Sequence, residues 1–376
     1  MQHAKSVTLR LPCLETFPFT IRDTRMTDPA PEKPNRRPRY RGKHPRHFHE
    51  KYKEHQPERY ADDVAKVLAS GKTPAGTHRP VLVREILEVV APRPGEVAMD
   101  CTLGYGGHAC ELLVAVQPGG RLLGMDADPI ELPKTEARLR RLGFPPESLV
   151  VRRMNYAGVA QFVAAESPGG VDLLLADLGA SSMQIDDSAR GFTFKVDGPL
   201  DMRMNPARGP TASALLSRLD EAGLTRLLAD NSDEPRASEL SRQILRAHAR
   251  TPLTTTRSLA EVVSAAFTQL PRHSSGTADD AVRRVFQALR IAVNDEFGAL
   301  AALLRNLPFC LKPGGRAAIL TFHSGEDRRV KLAFKNGLRD GVYASIANEV
   351  IRASAEERHA NPRSSAAKLR FAVRGS

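Results

Sequence analysis

Long apolar runs and paired cysteines are both missing from this 376-residue sequence, and each absence argues against a class of protein. No stretch approaches the ~18 uninterrupted apolar residues of a membrane-spanning helix, which argues against an integral membrane protein. The four cysteines form no C-x-x-C pair and fit no zinc-binding spacing. We therefore expect reduced, mostly buried thiols, no metal site and a cytoplasmic location.

A secretory signal is also missing. Pro12, Glu15 and Pro18 interrupt the one apolar patch of the first 25 residues, so no continuous apolar segment is left. A weak organellar transit peptide is the alternative to a cytoplasmic protein, and Met26 is an alternative start to Met1.

Acidic residues are in the minority, since 43 Asp and Glu stand against 55 Lys and Arg and leave a net charge of +12. Such an excess favours a polyanionic partner, either nucleic acid or an anionic membrane surface. A solvated basic surface without a specific partner is the alternative. Aromatic residues are few, at 5%, but apolar residues at 41% suffice for a sizeable core.

Residues 1–76 are predicted to be a basic, disordered N-terminal extension. Pro, Arg, Lys and His dominate residues 27–76, and such a segment buries too little apolar surface to offset chain entropy. One short helix is predicted over 58–69. The basic run is either a solvated tail or an arm that contacts phosphates. His44, His47 and His49 lie close together but lack a nearby partner ligand, so no metal site is expected there.

From residue 78 onward, short apolar strands alternate with helices. Strands are predicted at 97–100, 121–126, 149–152 and 171–177, with helices at 81–90, from about 109, near 130–142 and near 156–166. This alternation predicts a parallel sheet covered by helices on both faces. Helices are then predicted over 211–270, followed by one strong helix from about 280 to 306 and a strand at 316–322.

The break in the alternation predicts a helical insertion in an α/β domain. We expect a first core part over 77–188, an inserted helical domain over 189–280 and a second core part over 281–376.

A glycine-rich loop follows the first strand, where open α/β sheets bind ligands. The dinucleotide pattern G-x-G-x-x-G is absent, because Cys110 takes the approximate place of the third glycine, and the P-loop pattern is absent as well. Asp126 ends the second strand and could accept hydrogen bonds from ribose hydroxyls of either a nicotinamide cofactor or S-adenosylmethionine. Asp177 ends the fourth strand. It favours an amino-group methyltransferase, although a helix N-cap is the plainer interpretation.

The sequence resembles the RsmH (MraW) family of ribosomal RNA small-subunit methyltransferases. The segments that carry the resemblance are 78–82, 100–108, 124–129, 177–187, 190–194, 197–204, 286–296, 322–328 and 361–370. The resemblance covers residues 78–372, with these segments in order, whereas the N-terminal extension lies outside the family pattern.

The resemblance implies a class I S-adenosylmethionine-dependent methyltransferase fold, which is a Rossmann-like sheet, with an inserted helical domain. It implies S-adenosylmethionine as cofactor and N4-methylation of a cytidine in the decoding region of 16S rRNA. The expected partner is 16S rRNA within the small ribosomal subunit, with no membrane partner. By the family motif, the cofactor would be lined by Gly106, Gly107, His108, Asp126, Tyr156, Asp177 and Gln184.

A few residues depart from the family pattern. Gly325 replaces a leucine, Met183 replaces a usual proline, and Tyr156 stands where the family often has phenylalanine. Tyr105 occupies a position in the glycine-rich loop where a small residue or arginine is common. None of these changes removes an expected cofactor contact.

Candidate catalytic residues are Asp177, which could orient the donor or the amine, and Asn294, with His323 as a possible general base. Asn294 and its two acidic neighbours could instead tie the insertion to the core. Candidate RNA contacts are Arg190, Arg203, Arg283, Arg284 and Arg290, although a single arginine is more often a surface or ion-pair residue.

Three other interpretations stay open on the sequence alone. They are a nicotinamide-dependent oxidoreductase, a non-catalytic RNA-binding factor, and a methyltransferase that acts on DNA or protein.

Overall fold

The structure is a computed structural model that describes residues 80–269 and 276–376. The predicted N-terminal extension, its helix over 58–69, and His44, His47 and His49 lie outside the described residues. In the part of the chain that is described, no helix is both long enough and apolar enough to cross a bilayer. The same residues contain no group of three or more His, Cys, Asp or Glu side chains that could hold a metal ion.

A single mixed sheet forms the centre of the described chain. Its strands are β1 Val97–Asp100, β2 Arg121–Asp126, β3 Leu149–Arg153, β4 Val171–Asp177, β5 Leu311–Thr321, β6 Tyr343–Ile346 and β7 Lys368–Arg374. Their order is β3-β2-β1-β4-β5-β7-β6. The first five strands are parallel, and β7 runs antiparallel between β5 and β6. The parallel sheet predicted from the alternation is confirmed.

Most helices of the described chain either cover a face of this sheet or pack together in the insertion. The helices are α1 Val83–Val90, α2 Gly107–Ala115, α3 Leu132–Arg140, α4 Val159–Glu166, α5 Ser182–Asp186, α6 Ala212–Leu216, α7 Glu221–Ser232, α8 Ala237–Arg250, α9 Thr256–Gln269, α10 Ala278–Asn294, α11 Glu296–Cys310, α12 Ser324–Arg339 and α13 Ala355–Ala360. Successive strand residues point to opposite faces, so Leu173 and Leu175 pack with α1, α2 and α3. Leu174 and Ala176 pack with α4, α11 and α12.

A third hydrophobic cluster holds the inserted helices together. It joins buried side chains of α6 to α9 with Val285 and Leu289 of α10. The sequence placed the end of the insertion at residue 280, and the packing of α10 with these helices leads us to propose that the insertion continues through α10. The reason is that α10 has an apolar face, and this face packs on α7 and α9.

The helix predicted from about 280 to 306 is in fact two helices. α10 ends at Asn294, and Asp295 adopts a left-handed conformation with φ of 48° before α11 begins at Glu296. α11 packs against α4 on the sheet. The break thus redirects the chain from the insertion to the core, which the uninterrupted apolar spacing concealed.

We expect the two helices to respond separately to cavity-forming substitutions. Leu289→Ala should destabilise by about 2–5 kcal/mol, as is usual for a buried leucine, and should speed amide hydrogen exchange mainly in α7 and α9. Leu303→Ala in α11 is the matched control and should act on the strands and α4 instead. Equal acceleration in both regions for both variants would contradict the assignment of α10 to the insertion.

Candidate active site

Acidic side chains meet at one edge of the sheet, because parallel strands bring their carboxyl ends together. Asp100 ends β1, Asp126 ends β2 and Asp177 ends β4. The carboxylate of Asp126 holds two neighbouring loops, since its Oδ2 accepts a hydrogen bond from Gly104 N at 2.8 Å and its Oδ1 from Asp128 N at 2.9 Å. Each oxygen keeps a second lone pair that could accept a ribose hydroxyl.

The glycine-rich loop is shaped by close packing as well as by backbone conformation. Gly106 has φ of 85°, and a Cβ there would lie 2.9 Å from the methyl group of Thr135 in α3. A Cβ at Gly107 would lie 2.9 Å from the ring of Pro80. Thr135 also donates a hydrogen bond to Gly104 O at 2.6 Å. The loop is therefore held tightly between α3 and Pro80.

His108 and Asp177 lie close together next to this loop, at the strand ends where open α/β sheets have their ligand-binding crevice. His108 Nε2 lies 3.7 Å from Asp177 Oδ2. Both His108 Nε2 and Asp177 Oδ1 are buried without a hydrogen-bond partner among the described residues. Unsatisfied buried polar atoms are rare, and here they mark a place where a polar ligand group would bind.

Burial and like charge perturb the acids of this edge. Burial raises the pKa of Asp177 to about 8, and the nearby charges of Asp100 and Glu326 add to the shift. Burial likewise raises the pKa of Asp100 to about 7 and lowers that of His108 to about 4. Thr102 connects the ends of β1 and β4. Its hydroxyl accepts a hydrogen bond from Asp177 N at 2.7 Å, and its own amide donates one to Asp100 Oδ1 at 2.9 Å. Strongly perturbed acids in a crevice are typical of an active site.

Tyr156 lies just past β3 and connects this edge to the start of α11. Its hydroxyl donates to the backbone oxygen of Glu296 at 3.3 Å, and its ring packs against the core. The carboxylate of Glu296 is buried and forms a two-point ion pair with Arg290, at 2.8 and 3.0 Å. The residues predicted to bind the cofactor that end or follow β1, β2, β3 and β4 thus lie at one edge of the sheet.

Asp128 joins several predicted site residues, and no function was predicted for it. The side chain is buried, and its Oδ2 accepts hydrogen bonds from Gln184 Nε2 at 2.8 Å and from Arg190 at 2.9 Å. Gln184 Oε1 accepts Ser181 N at 2.9 Å, so both ends of the Gln184 amide already have partners. The signal was present in the sequence as the second acid of Asp126-x-Asp128-Pro129.

The three main arginine candidates for RNA contact are already paired with carboxylates. Arg190, which was predicted to contact RNA, is buried and binds Asp128 and two backbone oxygens, and this geometry favours a structural role. Arg203 forms a two-point pair with Asp201, and Arg290 is paired with Glu296 as described above. These guanidinium groups organise the protein instead of presenting free positive charge. The remaining two candidates, Arg284 and Arg283, contact Glu234 and Asp280.

Asn294 lies at the junction of the insertion and α11. Its Nδ2 donates to the backbone oxygens of Met202 and Arg290, and its Oδ1 accepts Met204 N. Because both ends of the amide are engaged by backbone groups, the geometry favours the structural interpretation of Asn294 over a catalytic one. His323 follows β5 at the same sheet edge, and its Nε2 lies 3.2 Å from Glu326 Oε1.

The strand order with an antiparallel β7, together with the acids that end β1, β2 and β4, defines a class I S-adenosylmethionine-dependent methyltransferase. Residues 75–374 match the MraW methylase family. The chain belongs to this family, and it is an enzyme that uses S-adenosylmethionine as its cofactor. The resemblance seen in the sequence is confirmed.

Two curated relatives show how close the similarity is. The chain is 47% identical over 341 residues to ribosomal RNA small subunit methyltransferase H 1 of Lachnoclostridium phytofermentans, covering 90% of this chain and 93% of the relative. It is 47% identical to ribosomal RNA small subunit methyltransferase H 2 of Alkaliphilus metalliredigens, covering 91% and 98%. A solved structure of a candidate rRNA methylase from Clostridium thermocellum covers 79% of this chain and 99% of its own, at 11% identity and a TM-score of 0.40.

The raised pKa of Asp177 predicts how a neutral substitution changes stability with pH. An acid whose folded pKa is raised stabilises the fold below its unfolded pKa of ~3.9, and this stabilisation is lost as the pH rises through the folded pKa. The thermal midpoint of Asp177→Asn should therefore exceed that of the wild type by an amount that grows from pH 5 to pH 8. Differential scanning fluorimetry without cofactor measures this.

Asp201→Asn provides the matched control. Burial acts to raise the pKa of Asp201, but hydrogen bonds and charge from Arg203 outweigh it and lower the pKa. Its substitution should destabilise by a nearly constant amount between pH 5 and pH 8. A pH-independent difference for Asp177→Asn would show that its carboxyl is ordinary.

The buried pair of Arg190 and Asp128 predicts a loss of stability. Arg190→Ala should lower the free energy of unfolding by about 3–5 kcal/mol, because it leaves a buried carboxylate without its cation. Arg203→Ala removes a less buried pair and should have a smaller effect. Urea unfolding measures both. Wild-type stability combined with weakened RNA binding for Arg190→Ala would support its prediction as an RNA contact.

Proposed function

We propose that this methyltransferase transfers a methyl group to N4 of a cytidine in the decoding region of 16S rRNA, within the small ribosomal subunit. The curated relatives named above, at 47% identity over about nine-tenths of the chain, support rRNA as the substrate. Since these relatives are bacterial proteins, we place the reaction in the bacterial cytoplasm.

The chemistry of the crevice supports an exocyclic amine as the methyl acceptor. An aromatic amine offers two hydrogens to hydrogen-bond acceptors, and its attack on a methyl group builds positive charge on nitrogen. The polar groups at this edge are mainly carboxylates, namely those of Asp100, Asp126, Asp177 and Glu326. The observation that carries the proposal is Asp177 Oδ1, a buried acceptor without a partner among the described residues.

The bound cofactor supplies a methyl group activated by a sulfonium centre. We infer that the Asp126 carboxylate binds the ribose of the cofactor and that Tyr156 offers an aromatic face to its adenine. The backbone around Gly106 and Gly107 would line the rest of the cofactor. Gln184 contributes through Asp128, which it helps to orient. The orphaned His108 Nε2 fits a polar group of the ligand.

We assign two steps of the reaction to Asp177, namely the orientation of the amine and the removal of its proton. Its Oδ1 accepts a hydrogen of the N4 amine and so favours the positive charge that develops as the N–C bond forms. The proton released from N4 passes to the same carboxylate. A pKa of about 8 is close to the working pH, which suits a group that must accept a proton and then release it to solvent.

Positive charge for the RNA backbone must come from residues other than the paired arginines. Lys195 and Arg208 are exposed in the loop between α5 and α6, and neither forms an ion pair within the described residues. The neighbouring Met204 is anchored by Asn294 and Arg190, which ties this loop to the crevice. We infer that this loop contacts phosphates beside an unstacked target base.

The reaction and the target can be tested together. Nucleoside mass spectrometry of small-subunit rRNA should show N4-methylated cytidine at one decoding-region site in wild-type cells and its loss when the gene is deleted. Expression of Asp177→Ala should fail to restore the modification, whereas Asp340→Asn, at the exposed C-terminal end of α12, should restore it. An unchanged nucleoside profile on deletion would direct the search to DNA or protein as the acceptor.

Charge reversal tests the RNA-contacting loop. Lys195→Glu and Arg208→Glu together should raise the KM for small subunits at least about tenfold, because each phosphate contact contributes to a salt-dependent affinity. The KM for S-adenosylmethionine should not change. Arg305→Glu, an exposed arginine of α11, is the control and should leave both constants unaffected. An unchanged KM in the double variant would exclude this loop as a phosphate contact.

A further inference from the structure

His323 occupies a constrained position just after β5. Leu320 O accepts the backbone amide of Leu178, so the end of β5 lies beside the residue that follows Asp177. His323 is the N-cap residue of α12, yet its side chain makes no capping hydrogen bond. Both ring nitrogens are buried without a hydrogen-bond partner of good geometry within the described chain, and 12% of the side chain is exposed. Buried polar atoms without partners mark a place where a polar group of a ligand would bind.

Glu326 holds one side of this imidazole. Its Oε1 lies 3.2 Å from His323 Nε2, and its Oε2 accepts the backbone amide of Phe322 at 2.9 Å. The carboxylate is buried, and its hydrogen bond with the Phe322 amide fixes its position beside the imidazole. Rotation of the imidazole about its side-chain bonds would break its contact with Glu326 Oε1.

Gly325 leaves room on the other side of the imidazole. It is buried in the first turn of α12, where its backbone would allow any residue to be helical. A Cβ at this position would lie 2.8 Å from Phe297 Cζ and 3.2 Å from His323 Nδ1. The absence of a side chain at 325 is thus required by packing and not by backbone conformation.

Phe297 fills the space that a side chain at 325 would need. Its ring centroid lies 5.8 Å from that of His323. The guanidinium of Arg329 stacks 3.5 Å above the Phe297 ring and also donates to Gly325 O at 2.9 Å. Because Arg329 bounds the ring of Phe297 in this way, the ring has little freedom to move away from an added Cβ.

We propose that Gly325 and Phe297 are positioning residues that fix the imidazole of His323 against Glu326, so that His323 contacts the acceptor base during methyl transfer. This inference rests on the proposed function, since the base is the cytosine of that reaction. A leucine at 325 could not coexist with the Phe297 ring in this position. The two residues therefore act as a matched pair of small and large side chains.

The test is a double-mutant cycle in the full-length protein. Gly325→Ala should lower kcat with small subunits by about tenfold or more, because a displacement near 1 Å at a reacting group can reduce a rate about 100-fold. The KM for S-adenosylmethionine should stay within about twofold of the wild type. In a Phe297→Leu background, which removes the ring tip, Gly325→Ala should change kcat by less than about twofold.

A spectroscopic measurement separates this proposal from the proposed function. In protein labelled with 13C-histidine, the ring signal of His323 is identified by its loss in His323→Gln. Gly325→Ala should shift this signal without any substrate, and Phe297→Leu should reduce the shift. Gly169→Ala is the matched control, since a Cβ there meets no atom within 4 Å, and it should leave the signal and kcat unchanged.

The possible outcomes are distinct. No methyl transfer by the wild type would overturn the proposed function, whereas the His323 signal would still decide the positioning role. A wild-type kcat and an unshifted signal in Gly325→Ala would overturn the positioning role. Should Gly325→Ala fold poorly, Glu326→Gln replaces it: a lowered kcat with a shifted signal supports the proposal, and a wild-type kcat overturns it.

Discussion

The carboxylate of Asp128 is the interaction on which the arrangement of the site depends. Its Oδ1 accepts backbone amides at the start of the helix after β2, while its Oδ2 accepts Gln184 from α5 and Arg190 from the beginning of the insertion. A buried carboxylate is stable only when paired and hydrogen-bonded, so it forces these three parts of the chain together. The guanidinium of Arg190 then carries the connection to the backbone of the loop at 203–204.

The crevice beside Asp128 contains buried acids and polar atoms without partners, and both lower the stability of the free protein. Burial raises the pKa values of Asp100 and Asp177, and His108 and Asp177 keep polar atoms without partners in the described chain. Such a site destabilises the free protein, and the well-packed clusters on both sheet faces compensate. The same features suit a carboxylate that accepts a hydrogen bond from an amine and then takes its proton.

Residues of both the insertion and the core form the site. The insertion contributes its own hydrophobic cluster and the loop at 191–211, whereas α11 and α12 of the core bring Glu296, Phe297 and Glu326 to the same edge. Asn294 and Asp295 mark the transition between the two, one by anchoring the loop and the other by its left-handed backbone. The methyl donor and the base can thus be held by different parts of one chain.

The sequence alone determined the five parallel strands, because buried parallel strands appear as short apolar runs, several of which end in recognisable acids such as Asp126 and Asp177. It also determined the family, through motifs that are long and ordered. It did not predict the antiparallel strands β6 and β7. It did not reveal that Arg190 pairs with Asp128, which lies 62 residues away, or that Phe297 packs on Gly325. Only the tertiary structure decided these points, since an arginine on the surface and one in a buried ion pair look alike when the partner is remote in sequence.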